Sequence, residues 1–132
     1  MIRITRRGLA TPLLPGLLIG AACASTAAPS EAPATPKGYV IAEIEVTDPE
    51  AYAAYVAAAG PLVAQYGGVY LVRGGRSASW EGAPPAGRLV VIEFPSFAAA
   101  EAFQVSPEYA AIAPIRRATA VSRLMVVEGR AP

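Results

Sequence analysis

Tyr39-Val40-Ile41-Ala42-Glu43-Ile44-Glu45-Val46 decides the fold. Positions 40, 42, 44 and 46 are apolar, and 43 and 45 are acidic. Alternation with a period of two describes a strand with one face in a core and the other turned away from it. Asp48-Pro49-Glu50 follows directly. Asp48 can accept from the unpaired N–H groups of a helix start, Pro49 suits the first helical position, and Glu50 lies near the positive end of the helix. Tyr52, Tyr55, Val56, Ala59, Val63 and Tyr66 then recur at helical spacing, which gives the helix one apolar stripe. Gly60-Pro61 is expected to kink or interrupt this helix, and Gly67-Gly68 to end it.

Beyond the helix, residues 69–73 form a second strand, and residues 74–87 are a Gly- and Pro-rich connection around Trp80. Residues 88–94 are a third strand, apolar enough to be central. Pro95 stops it, and Ser96 caps a helix reaching about Gln104. Ser106-Pro107-Glu108 opens a further helical piece to about Arg117, and residues 120–128 are the last strand. The order β-α-β-β-α-β with right-handed crossovers gives an α+β, ferredoxin-like sheet with its helices on one face. The opposite face is left bare and apolar, and a second copy of the chain is the expected cover.

The domain resembles the family known as domain of unknown function 1330, within the dimeric α/β-barrel superfamily. The residues that carry the resemblance are Lys37-Gly38-Tyr39-Val40-Ile41, Asp48-Pro49-Glu50-Ala51-Tyr52, Tyr66-Gly67-Gly68 and Arg73-Gly74-Gly75. Glu81-Gly82, Arg88, Glu93-Phe94-Pro95-Ser96 and Ser106-Pro107-Glu108-Tyr109 complete the set, in order across residues 37–130. The resemblance implies a ferredoxin-like homodimer that forms a dimeric α/β barrel. It implies no single reaction: relatives include cofactor-free monooxygenases, isomerase-like enzymes, haem-handling enzymes and plain binding proteins. Phe103, Gln104 and Val105 stand where the family often carries aromatic residues, which is expected to reshape that edge of a pocket.

The chemistry open to the chain is narrow. It has no histidine and one cysteine. The commonest general base and metal ligand are therefore missing, and neither a zinc site nor a Ser-His-Asp triad can be assembled. Setting aside Arg3, Arg6, Arg7 and Glu31 leaves eight basic and nine acidic residues from Lys37 onward. That balance gives no electrostatic footprint for nucleic acid. No cofactor or metal is expected.

Strand parity puts Glu43 and Glu93 on the bare face. Two carboxylates on an apolar surface would be poorly solvated and would repel, which is how an acid or base is made without histidine. Pairing of each acid with an arginine is the structural alternative. Arg73, Arg88 and Arg116 are candidates to hold a ligand carboxylate in two-point fashion, with a salt bridge to Glu81 or Glu93 as the other role for Arg88. Tyr109 can turn its hydroxyl into a cleft. Glu43, Glu93, Arg73 and Tyr109 are expected to line one cavity on the sheet face or at its rim. Two functions follow: a module that binds a small, partly apolar carboxylate or enolate, or a cofactor-independent isomerase or monooxygenase using Glu93 or Glu43 as acid or base.

The N-terminal part is of another kind. Arg3, Arg6 and Arg7 precede an apolar run over residues 9–22 that ends in small residues, the order of an export signal. Arg6-Arg7 also resembles a twin-arginine signal. Leu17-Leu18-Ile19-Gly20-Ala21-Ala22-Cys23 resembles a bacterial lipobox, with lipid attached to Cys23 and ordinary cleavage as the alternative. Residues 24–36, mostly Ala, Ser, Thr and Pro, cannot bury a core and suit a tether. The expectation is a signal segment over 1–23, a tether over 24–36 and a domain over 37–130. The protein would be exported to the periplasm or secreted, touching membrane only through its N-terminal anchor.

Overall fold

The computed structural model describes Pro12, Leu13, Pro15, Gly16 and residues 32–132. Cys23, the leader around it and the tether as far as Glu31 lie outside the described residues. Residues 32–37 form no helix or strand. Among the described residues no helix is long and apolar enough to cross a membrane.

Seven elements follow: β1 (Gly38–Val46), α1 (Pro49–Gln65), β2 (Val69–Arg73), β3 (Arg88–Phe94), α2 (Phe97–Gln104), α3 (Pro107–Thr119) and β4 (Ala120–Glu128). The four strands make one antiparallel sheet in the order β2-β3-β1-β4. β1 and β3 are central, as their apolar content requires. Side chains with one parity, Val40, Ala42 and Ile44 of β1 and Val90, Ile92 and Phe94 of β3, are buried in the core. They meet Tyr52, Leu62 and Val63 of α1, Ala100 and Phe103 of α2, and Tyr109 and Ala113 of α3. Each large apolar side chain so buried contributes roughly 1.5–3 kcal/mol.

The caps are those the sequence announces. The Asp48 carboxylate accepts from the Ala51 N–H at 3.1 Å, and the Ser96 hydroxyl from the Ala99 N–H at 3.0 Å. Ser106 accepts from the Tyr109 N–H at 3.2 Å and donates to the Phe103 carbonyl at 2.7 Å, joining α2 to α3. At the end of α1, Gly67 takes φ +76°, and a Cβ on Gly68 would lie 2.7 Å from Val63 and 2.8 Å from Phe94. Gly68 is there for close approach, Gly67 for the left-handed turn.

One expectation is corrected. α1 runs unbroken through Gly60-Pro61 to Gln65. Pro61 and Ala57 are both exposed, so water can satisfy the carbonyl that a proline N–H would have met, while Leu62 and Val63 bury beyond it. β2 forms over the expected residues 69–73 and carries an irregularity. Tyr70 pairs with Ile92, but Val72 pairs with Val91 and Arg73 with Val90, so Leu71 is an extra residue, a β-bulge.

Candidate functional site

The bulge determines which side chains meet. In an unbroken strand, residues three apart face opposite sides. Because Leu71 is extra, Tyr70 and Arg73 both stand opposite residues of the helix-facing set, Ile92 and Val90. Both line a slot between α1, the start of α3 and the sheet, together with Tyr52, Tyr55, Arg88, Gln104 and Tyr109 over an aliphatic floor from β1 and β3. The centre of a water molecule can range over about 40 Å³ inside it. A single water needs about 10–15 Å³, so the slot admits several waters or one small ligand. A second, wide-open groove along α1 shares Tyr52, Val56 and Arg88 with it.

The slot is cationic and phenolic. Arg73 stacks on the Tyr70 ring at 4.3 Å, and the Arg88 guanidinium lies 5.9 Å from the Tyr52 ring centre. Arg88 donates through one Nη2 to the Arg73 carbonyl at 3.3 Å, while its buried Nε has no partner. Gln104 likewise buries an amide nitrogen without a partner. The Tyr55 and Tyr109 hydroxyls meet at 3.3 Å, and either can be the donor, which leaves one phenolic proton of the pair free for a third group. No carboxylate lines the slot. Arg116, the third candidate arginine, does not line the slot: it is 7% exposed and donates to Ser122, its Nε unpaired.

Burial dominates the tyrosine acidities. It pushes Tyr52 up against the opposing pull of Arg88, Arg116 and Arg73, and Tyr70 up against Arg73. Burial also raises Tyr55, and the neighbouring Tyr109 raises it further. Their hydroxyls are therefore proton donors over the ordinary pH range.

The expected single cavity of Glu43, Glu93, Arg73 and Tyr109 divides in two. Arg73, Arg88 and Tyr109 come together on the helix side. Glu43 and Glu93 lie on the opposite face, and not beside each other: Glu43 pairs with Leu89 and Glu93 with Tyr39. Four residues of strand, about 13 Å, separate them. Glu43 accepts from Arg123 at 3.1 Å. Glu93 accepts from the Tyr39 hydroxyl at 3.2 Å and has Lys37 at 4.0 Å. The role of Arg88 as a partner of Glu81 or Glu93 is also corrected, since Arg88 points to the other side of the sheet from Glu93 and contacts no acid. Trp80 is 97% exposed and lines neither cavity.

Tyr52 is a core residue and Tyr55 packs against the core, as the helical stripe implies, and both also line the slot; Tyr70 carries no signal in the sequence. The departure at Phe103-Gln104 was informative, because both residues line it. Among the described residues there is no group of three or more potential metal ligands.

Sheet order and the helix-covered slot define an α+β protein of the ferredoxin-like class. The chain belongs to the family described as a domain of unknown function (DUF1330), which matches residues 37–130. Among solved structures it is similar to a protein of unknown function from Rhodopseudomonas palustris, at 24% identity and TM-score 0.58, covering 74% of this chain and 85% of that one. It is also similar to SnoaB, a cofactor-independent oxygenase from Streptomyces nogalater, at 16% identity and TM-score 0.55, covering 74% of this chain and 97% of that one. At those identities the likeness is one of fold. No curated protein matches the chain in sequence.

Proposed function

We propose that the domain binds a small, partly apolar molecule bearing a carboxylate or enolate oxygen in the helix-side slot, with Arg88 and Arg73 taking the charge. The observation that carries this reading is two guanidinium groups at a largely apolar cavity with no acid to neutralise either. Arg88 is half-buried and its sealed Nε has no partner, while Arg73 is exposed at the slot's edge; an anionic ligand would supply the acceptor that Nε lacks and a counter-charge for both. The aliphatic floor and tyrosine rings suit an apolar body, while the Tyr55–Tyr109 pair offers a proton to a ligand oxygen. Calorimetry with benzoate tests the reading. Saturable binding that Arg88→Met weakens at least about tenfold supports it, and equal binding by both proteins contradicts it.

The second reading is a cofactor-independent enzyme, favoured by the fold shared with SnoaB and by the tyrosine pair in the slot. Proton transfer there would fall to Tyr55 and Tyr109 rather than to Glu43 or Glu93, which are engaged on the opposite face. We further propose that a second copy covers the bare face, where Val69, Val72, Val121, Met125 and Val127 are exposed large apolar residues. The leader supports export, with Cys23 as the lipid attachment point. Mass spectrometry of the mature N-terminus tests this: an acylated Cys23 is expected, a free terminus beyond it removes the lipid, and an intact Met1 in the native host removes export as well.

A further inference from the structure

We infer that Gly74 is a positioning residue of the anion site: by lacking a side chain, it sets where the Arg88 guanidinium sits. The inference rests on the reading of the slot as an anion site and adds a determinant outside the lining residues. Gly74 follows the last residue of β2, with φ +69°, and its N–H donates to the Leu89 carbonyl at 2.8 Å. A Cβ at this position would lie 2.7 Å from Arg88 Nε, 3.0 Å from Nη2 and 3.1 Å from Cζ. Those separations are too short for carbon against a guanidinium group, and the atoms that would give way are the head of a flexible side chain. Any side chain at 74 therefore displaces Arg88 rather than preventing the fold.

The neighbouring bond shows what that displacement would undo. Arg88 Nη2 donates to the carbonyl of Arg73, the residue just before Gly74. The bulge at Leu71 turns Arg73 toward the slot, Gly74 leaves room beside it, and Arg88 packs into that room. One short segment thus presents both cations to the same cavity.

Gly82 provides an internal control. It lies in the same connection with φ +74°, and a Cβ there meets nothing within 4 Å. Alanine at either position incurs the same left-handed backbone strain, but only Gly74→Ala touches Arg88. Benzoate affinity and the Arg88 Nε–Hε NMR signal are measured in wild type, Gly74→Ala, Gly82→Ala and Arg88→Met. The expected result is that Gly74→Ala weakens benzoate binding at least about fivefold, while Gly82→Ala stays within about twofold of wild type, because only the former moves a charged contact. The Arg88 signal should move in Gly74→Ala and not in Gly82→Ala. If wild type binds benzoate and Gly74→Ala binds within twofold of it, the inference is overturned. If wild type does not bind benzoate, the carboxylate reading fails, and the NMR signal alone decides the positioning role. An Arg88 signal unmoved by Gly74→Ala then overturns it.

Discussion

Arg88 carries five N–H donors and uses one of them on a backbone carbonyl. Residue types alone point to arginine as the group to hold an oxyanion, and Arg73, Arg88 and Tyr109 are legible in the sequence as candidates. Their grouping with Glu43 and Glu93 is not. Parity along β1 and β3 assigns the acids to the bare face, but nothing in the sequence reveals the extra residue that turns Arg73 away from them. The acids have local partners instead. Glu93→Gln should therefore leave benzoate affinity within about twofold and lower stability by at most ~1 kcal/mol, since its partners Lys37 and Tyr39 are partly solvated. Paired calorimetry and thermal melts check both expectations. A large loss of binding would restore Glu93 to the site.

At the scale of elements, caps and alternation were enough to bound each strand and helix closely, because Asp48, Ser96 and Ser106 each make the bond their position calls for. What escaped depends on tertiary context. Pro61 stays in α1 because Leu62 and Val63 are buried past it, and β2 bulges because its edge position leaves Leu71 free of a second partner strand. Ser106 has the largest expected effect among the caps, since its buried hydroxyl serves two helices. Ser106→Ala should cost about 1–3 kcal/mol, read as a shift in the urea midpoint with unchanged m. Gly68→Ala should also destabilise, by about 1–3 kcal/mol, because its Cβ would enter space held by Val63 and Phe94. Ser96→Ala, at a half-buried cap, should cost about 1 kcal/mol.

For the whole molecule, one layer of helices covers one side of a four-stranded sheet, and the other side keeps an apolar surface. Light scattering should give twice the monomer mass at micromolar concentration, and a monodisperse monomer would refute the proposed cover by a second copy. The tyrosine-lined interior also sets an alkaline limit. Tyr52, Tyr55 and Tyr70 each have a folded pKa raised above the ordinary value of 10.0. A raised value means that the folded state holds the proton more tightly. The associated stability is complete below about pH 10 and is lost as pH rises above it. Tyr55→Phe should flatten that decline in a series of melts between neutral and strongly alkaline pH. In the proposed function an anion enters on the helix side. NMR titration of the protein with benzoate tests it most directly. Saturable shifts are expected at Tyr52, Tyr55, Tyr70, Arg73, Arg88 and Tyr109; shifts confined to Ile41, Glu43, Val91 and Glu93 on the bare face, or none at any residue, would contradict binding there.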